Sequence, residues 1–379
     1  MPSKLDILVS ACATLGRRGL AVRNELCLRA RHRASDCERC SESCPAGAIA
    51  VVEGVVLSPA LCNGCGACAT LCPSGALTAC EPSDAQLRFA ILRHVKNSGV
   101  VAFACETYLA AHVEDRPKVV AVPCIARLDE SILLDAVVAG ASHVGLVDAA
   151  CADCPQAKLH RTAATVVNRL NKLLSAWSHR AAVEFVADLS GSKPLVGDTP
   201  RPTGVSRRAF FTALRSSKAK ASRPGPPETS EAGGAVIPKG GQPKEVPDRR
   251  RRIMASLRRL GPATGTASLD GSVWATMTVS AGCNGCGICV AACPTAALDA
   301  KDEDGAWRLS FLVANCIRCG LCASLCVTKA LRIDAETSID SALDATPRVL
   351  VTRAKSDVVE ATAPLDERFS RLFGRQITF

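Results

Sequence analysis

Cys283-Asn284-Gly285-Cys286-Gly287-Ile288-Cys289-Val290-Ala291-Ala292-Cys293-Pro294, with Cys316-Ile317-Arg318-Cys319-Gly320-Leu321-Cys322-Ala323-Ser324-Leu325-Cys326 behind it, sets the fold class of the chain. Thiols at steps of three residues let a tight loop wrap one iron-sulfur cube, while the fourth, displaced to the next turn, faces a second cube. The ligands therefore cross over. One 4Fe-4S cluster takes Cys283, Cys286, Cys289 and Cys326; the other takes Cys316, Cys319, Cys322 and Cys293. Gly285, Gly287 and Gly320 allow close backbone approach, so that N–H groups face the cluster sulfurs. Structural zinc needs two pairs around one tetrahedral ion, which runs of three plus a displaced fourth do not supply.

The pattern recurs near the other end. Cys62, Cys65, Cys68 and Cys72-Pro73 keep the spacing, and Cys37, Cys40 and Cys44-Pro45 precede them. The first ligand here is irregular, because the regular step before Cys37 falls on Ala34. Cys27 is the first choice for the missing thiolate, ahead of Cys12 or an open iron that would permit chemistry. One cluster then uses Cys27, Cys37, Cys40 and Cys72, the other Cys62, Cys65, Cys68 and Cys44. Between the halves of each unit a hairpin is expected, Ile49 to Leu57 turning at Glu53-Gly54 and Leu298 to Phe311 turning at Asp304-Gly305. The C-terminal unit resembles bacterial two-cluster ferredoxins at all eight ligand positions, with Val327 where that family has proline after the last cysteine. The resemblance implies two α+β dicluster domains.

Between the repeats, Val100–Ala104, Val119–Val122, His143–Val147 and Val183–Val186 read as strands separated by helices, the longest from Ala157 to Trp177, so a central α/β parallel-sheet domain is expected. Ile132 to Val147 suits a helix followed by a buried strand. Cys105, Cys124, Cys151 and Cys154 all follow strands, and the carboxyl ends of parallel strands share one edge, where a ligand binds. FACETYLAA, VVAVPCIARLDESILLDAVVAGASHVGLV and CADC resemble the delta subunit of methyl-viologen-reducing hydrogenase, a 2Fe-2S carrier associated with heterodisulfide reductases. That resemblance implies a further 2Fe-2S or 4Fe-4S centre on these four cysteines, although the family's second cysteine after the first is absent here and its last pair is more widely spaced. Two readings stand beside it: a thioredoxin-like dithiol of Cys151 and Cys154 acidified by a helix N-terminus, and inert buried cysteines. Cys12 and Cys80 read as small hydrophobes.

These motifs divide the 379 residues into ferredoxin domains at 1–82 and 253–335, the α/β domain at 83–190, a linker at 191–252 and an extension at 336–379. The linker is rich in Ser, Pro, Gly and charge and cannot bury a core. Ser206-Arg207-Arg208-Ala209-Phe210-Phe211 resembles a twin-arginine export motif, but a docking helix using Phe210, Phe211 and Leu214 fits its position better. Arg249 to Arg252 reads as solvated charge. The formal charge is +10, yet each 2+ cube on four thiolates carries about −2, so four cancel about 8 of it. With aromatics at 3%, stacking platforms for nucleic acid are lacking. No long apolar segment implies export or a membrane span, and the 22 cysteines imply a reduced, cytoplasmic setting. His32, His94, His112, His143, His160 and His179 form no catalytic or zinc spacing, and no dinucleotide or Walker loop occurs.

The expected function is electron transfer within a larger redox complex through four 4Fe-4S clusters, with flavoprotein, hydrogenase, heterodisulfide-reductase-like or molybdoenzyme subunits as partners. The alternative is an accessory or maturation ferredoxin for a molybdenum reductase, since the repeats with SRRAFF are similar to accessory ferredoxins of periplasmic nitrate reductase systems.

Overall fold

The computed structural model describes residues 19–177, 182–189, 244–263, 268–270, 274–334, 336–354 and 358. Cys12 and the segment Phe210 to Leu214 lie outside them.

In each ferredoxin-type unit a strand before the cysteine runs pairs with one after them. Leu20–Val22 runs antiparallel to Leu77–Ala79 in the N-terminal unit, and Thr276–Val279 to Leu331–Asp334 in the C-terminal one. Inside each lies a hairpin, Ile49–Val51 with Val55–Leu57 and Leu298–Glu303 with Ala306–Phe311. Asp304 and Gly305 at the second turn have φ of 53° and 74°, the mirror-image turn that matches strand twist. The short helices Ala67–Leu71, Ile288–Ala292 and Leu321–Ser324 start beside Gly66, Gly287 and Gly320, whose φ values of 78°, 72° and 84° end the cysteine loops in left-handed geometry.

The expected boundary at 335 is too early. The helix Ile339–Leu343 buries Ile339 and Ala342, and Arg348–Ala354 adds a third strand to the second hairpin. Arg353 Nε donates to the Cys283 carbonyl at 3.0 Å, so this strand also holds a cysteine loop.

The middle domain is a four-stranded parallel sheet in the order Val120–Val122, Val100–Cys105, His143–Val147, Ala182–Val186. Helices Asp84–Ser98, Glu130–Val138 and His160–Leu174 connect and cover the strands. Glu130–Val138 is buried on every side, from Glu130 through Val137. Its second cover is the helix Asp248–Arg259. That helix corrects two expectations: the linker ends before Asp248, and of the arginine run only Arg251 is exposed. Arg249 pairs with Glu130 and donates to the Thr70 carbonyl; Arg252 pairs with Asp84. Arg250 is 5% exposed, donates to the Cys316 carbonyl, and lies 4.9 Å over the Trp274 ring. Spaced along one helix, these guanidinium groups reach the N-terminal unit, the middle domain and the C-terminal unit. Among the described residues no helix is long and apolar enough to cross a membrane.

Candidate metal centres

Cys27 owes its position to Asn24. The Asn24 side chain accepts from the Val55 N–H at 2.8 Å and donates to the Val55 carbonyl at 3.2 Å, tying the segment before Cys27 to the hairpin as a strand would. Leu26 and Leu28 on either side are buried. Cys27 thereby lies near Cys37, Cys40 and Cys72: burial and then the closeness of Cys72, Cys37 and Cys27 push the Cys40 thiol up to about 12.

The other three sets also converge. Cys44, Cys62, Cys65 and Cys68 line one small cavity; Cys293, Cys316, Cys319 and Cys322 a second; Cys283, Cys286, Cys289 and Cys326 a third. Burial and neighbouring thiols push Cys68, Cys289 and Cys319 up to about 12. A buried quartet of thiols resists ionisation because each thiolate repels the next without solvent to screen it. A polycationic iron core removes that resistance by displacing the protons, so the donor chemistry fits a cluster. Single-ion geometry is absent: among the described residues no three His, Cys, Asp or Glu side chains close on one ion, whereas a cube holds its thiolates farther apart.

Hydroxyl neighbours follow the displaced cysteines. Ser74, Thr295 and Thr328 hydroxyls lie 3.7, 3.8 and 3.7 Å from the Sγ atoms of Cys72, Cys293 and Cys326. Such bonds orient a ligand and tune its cluster. The sequence signal was a Ser or Thr two residues past each of these cysteines; Cys44 lacks it, with Ala46 there, and accepts the Ala48 N–H at 3.3 Å instead. At Cys326 burial opposes ionisation, but hydrogen bonds from the Leu331 N–H, the Thr328 hydroxyl and the Ala330 N–H outweigh it and bring the thiol down.

The middle cysteines gather where the sheet's strand order reverses. Cys105 ends the first strand, whose successor lies on one side and the third strand on the other, and Cys151 and Cys154 follow that third strand. Crevices beyond strand ends at such a point are binding sites. Burial, then Cys105, Asp148 and Cys154, push Cys151 up to about 11. This is the opposite of an acidified dithiol, and the long helix starts only at His160. Cys124 rises to about 12 through burial and the nearness of Cys65, Cys105 and Cys151. Cys65 belongs to the N-terminal unit, so the middle group abuts one of its thiol sets. Cys80, read as a small hydrophobe, is exposed and lines none of these sets.

The two ferredoxin units also meet. Arg31, one helical turn past Cys27, has its pKa pulled down by burial and held up by Cys293 and Cys319 of the C-terminal unit. Within the N-terminal unit, Cys68 lies close enough to Cys40 to feel its charge; within the C-terminal unit, Cys322 feels Cys289.

Residues 282–330 match the 4Fe-4S dicluster domain family, and residues 55–78 match the 4Fe-4S binding domain family. No curated protein and no solved structure matches the chain. The chain therefore carries 4Fe-4S ferredoxin-type domains toward both ends, with a four-stranded parallel sheet between them.

Proposed function

We propose that the chain is an electron relay whose four 4Fe-4S clusters and middle centre form a single line. A 4Fe-4S cluster supplies one-electron uptake and release at a potential set by its surroundings. The observation that carries this reading is the order of the ligand sets. From Cys283, Cys286, Cys289 and Cys326 the line continues to Cys293, Cys316, Cys319 and Cys322, where Arg31 bridges to Cys27, Cys37, Cys40 and Cys72. Next comes the set of Cys44, Cys62, Cys65 and Cys68, and Cys65 leads to Cys124 with Cys105, Cys151 and Cys154. A relay needs contiguity of this kind, and two independent ferredoxins would not.

The switch-point crevice of the middle domain is one terminus of the line, and the outer C-terminal set is the other. Flavoprotein, hydrogenase, heterodisulfide-reductase-like or molybdoenzyme subunits are the partners such termini serve. The test is iron and acid-labile sulfide analysis of anaerobically prepared protein. Four cubes give roughly 16 iron atoms and the middle centre about two to four more. About half that value would remove one ferredoxin unit from the line, and an unchanged count after replacing Cys124 and Cys151 by Ala would remove the middle centre.

A further inference from the structure

Where the two ferredoxin units, the middle domain and the basic helix meet, they form an open cavity of about 400 Å³. Arg39, Arg169, Arg249, Arg250 and Arg318 line it, with Glu130 as its one acid. Glu130 is already paired with Arg249 and lies 3.8 Å from Arg169. Arg39 and Arg318 pair with no carboxylate among the described residues, and each has only a cysteine thiol, Cys37 and Cys316, whose ionisation it favours.

These two arginines hold equivalent places in their cysteine runs. Arg39 precedes Cys40 and Arg318 precedes Cys319, whereas the other two runs have Gly64 and Gly285 there. Gly64 and Gly285 adopt φ of 70° and 71°, and Arg318 is held at 51° in the same left-handed region. A side chain at that φ costs about 1 kcal/mol or more relative to glycine. At this position the runs away from the cavity use glycine and one of the two that line it bears the strain, as Ala296 and Lys329 do elsewhere in the C-terminal unit. Neutralising cluster charge does not account for this, because all four sets would need it equally, and it does not require an open cavity.

We propose that this cavity binds a small dianion with phosphate or carboxylate oxygens, held by Arg39 and Arg318 from the two units and Arg169 from the middle domain. Guanidinium forks match such oxygens two at a time, and the volume suits a small molecule. Bound there, the anion joins the two ferredoxin units and places negative charge beside the sets of Cys27 and Cys316. This inference rests on the relay reading only for its redox readout.

The test is calorimetric titration of the anaerobic holoprotein with inorganic phosphate and, separately, succinate, at ionic strength held constant with chloride. One saturable site is expected, and the better of the two probes separates the phosphate source from the dicarboxylate one. Arg39→Gln with Arg318→Gln should weaken it at least about tenfold, the loss of two charge-assisted contacts. Arg169→Gln, in the middle domain and on none of the cysteine runs, should weaken it as well and carries the test if the double variant loses iron. In a redox titration the ligand should lower the potential of two clusters in the parent and shift nothing in the variants. Heats that show no saturation with either probe, or equal affinity in parent and variants, would overturn the proposal and leave the arginines as charge balance for the clusters. Binding without a change in potential would overturn its placement beside the cysteine sets.

Discussion

Replacing Arg249 by Met should cost the protein about 3–4 kcal/mol of stability. Arg249 donates to the Thr70 carbonyl of the N-terminal unit and to Glu130 of the middle domain, and lies 3.8 Å from Asp129. Burial alone would keep Asp129 from ionising, but Arg249, the Ser131 hydroxyl, Arg252 and Arg127 outweigh it and hold its pKa below the ordinary aspartate value. Without Arg249, Asp129 keeps the Ser131 hydroxyl at 2.6 Å and the Ser131 N–H at 2.8 Å. Glu130 is worse placed: its side chain is 2% exposed, and its remaining cation, Arg169, is beyond hydrogen-bond reach at 3.8 Å. Breaking a buried pair costs about 3–5 kcal/mol, mostly through the stranded partner. Arg249 is itself 23% exposed, which puts the expectation at the low end. Met fills the volume of the arginine stem, so packing changes little. The assay is denaturant unfolding of the anaerobic holoprotein followed by the fluorescence of Trp177, Trp274 and Trp307, all buried. Because the cost is a stranded charge, adding Glu130→Gln should recover most of it. A single variant within about 1 kcal/mol of the parent, or a double variant as weak as the single, would refute the reasoning.

Cys27→Ala should lower the iron content by up to about four atoms per chain, read by iron and sulfide analysis; an unchanged count would release Cys27 from its ligand set. Gly66→Ala places a Cβ 2.5 Å from Arg127 Cδ, whereas Gly99→Ala, at a similar φ of 70°, meets nothing within 4 Å. Both should lose about 1–2 kcal/mol to the left-handed backbone, and only Gly66→Ala should also loosen the N-terminal unit from the middle domain, seen as faster hydrogen exchange at Thr70 and Arg127. His94 is 2% exposed, its Nε2 has no hydrogen-bond partner, and burial followed by Arg93 lowers its pKa to about 4. The unfolded chain binds this proton first, so stability should be full above about pH 6.5 and fall as pH drops toward 4, by at most about 3 kcal/mol. His94→Leu should flatten that slope of unfolding midpoint against pH, and a slope that persists would assign it to another group.

Covalent spacing determined much of this molecule in advance. Thiols three residues apart, with a displaced fourth, allow few arrangements around a cube, so the cysteine runs and the units' hairpins were legible from residues near each other in the chain. Short apolar runs between helical patterns marked the middle strands to within a residue or two, because a buried parallel strand must be continuously apolar. Arg249 to Arg252 was not legible: four adjacent cations read as solvated until the carboxylates of Asp84, Asp129 and Glu130, far away in sequence, are brought against them. The spacing left Cys27 among alternatives, and what places it near Cys37, Cys40 and Cys72 is the bond of Asn24 to Val55, a contact with no signal in the sequence. Cysteine spacing specifies which thiols sit on one loop, a local property of the backbone. The order in which the sets meet, and the cavity that Arg39 and Arg318 both line, depend on how the units dock. Only the tertiary structure decides that, because the charges and surfaces that pair there belong to residues with no local relation to one another.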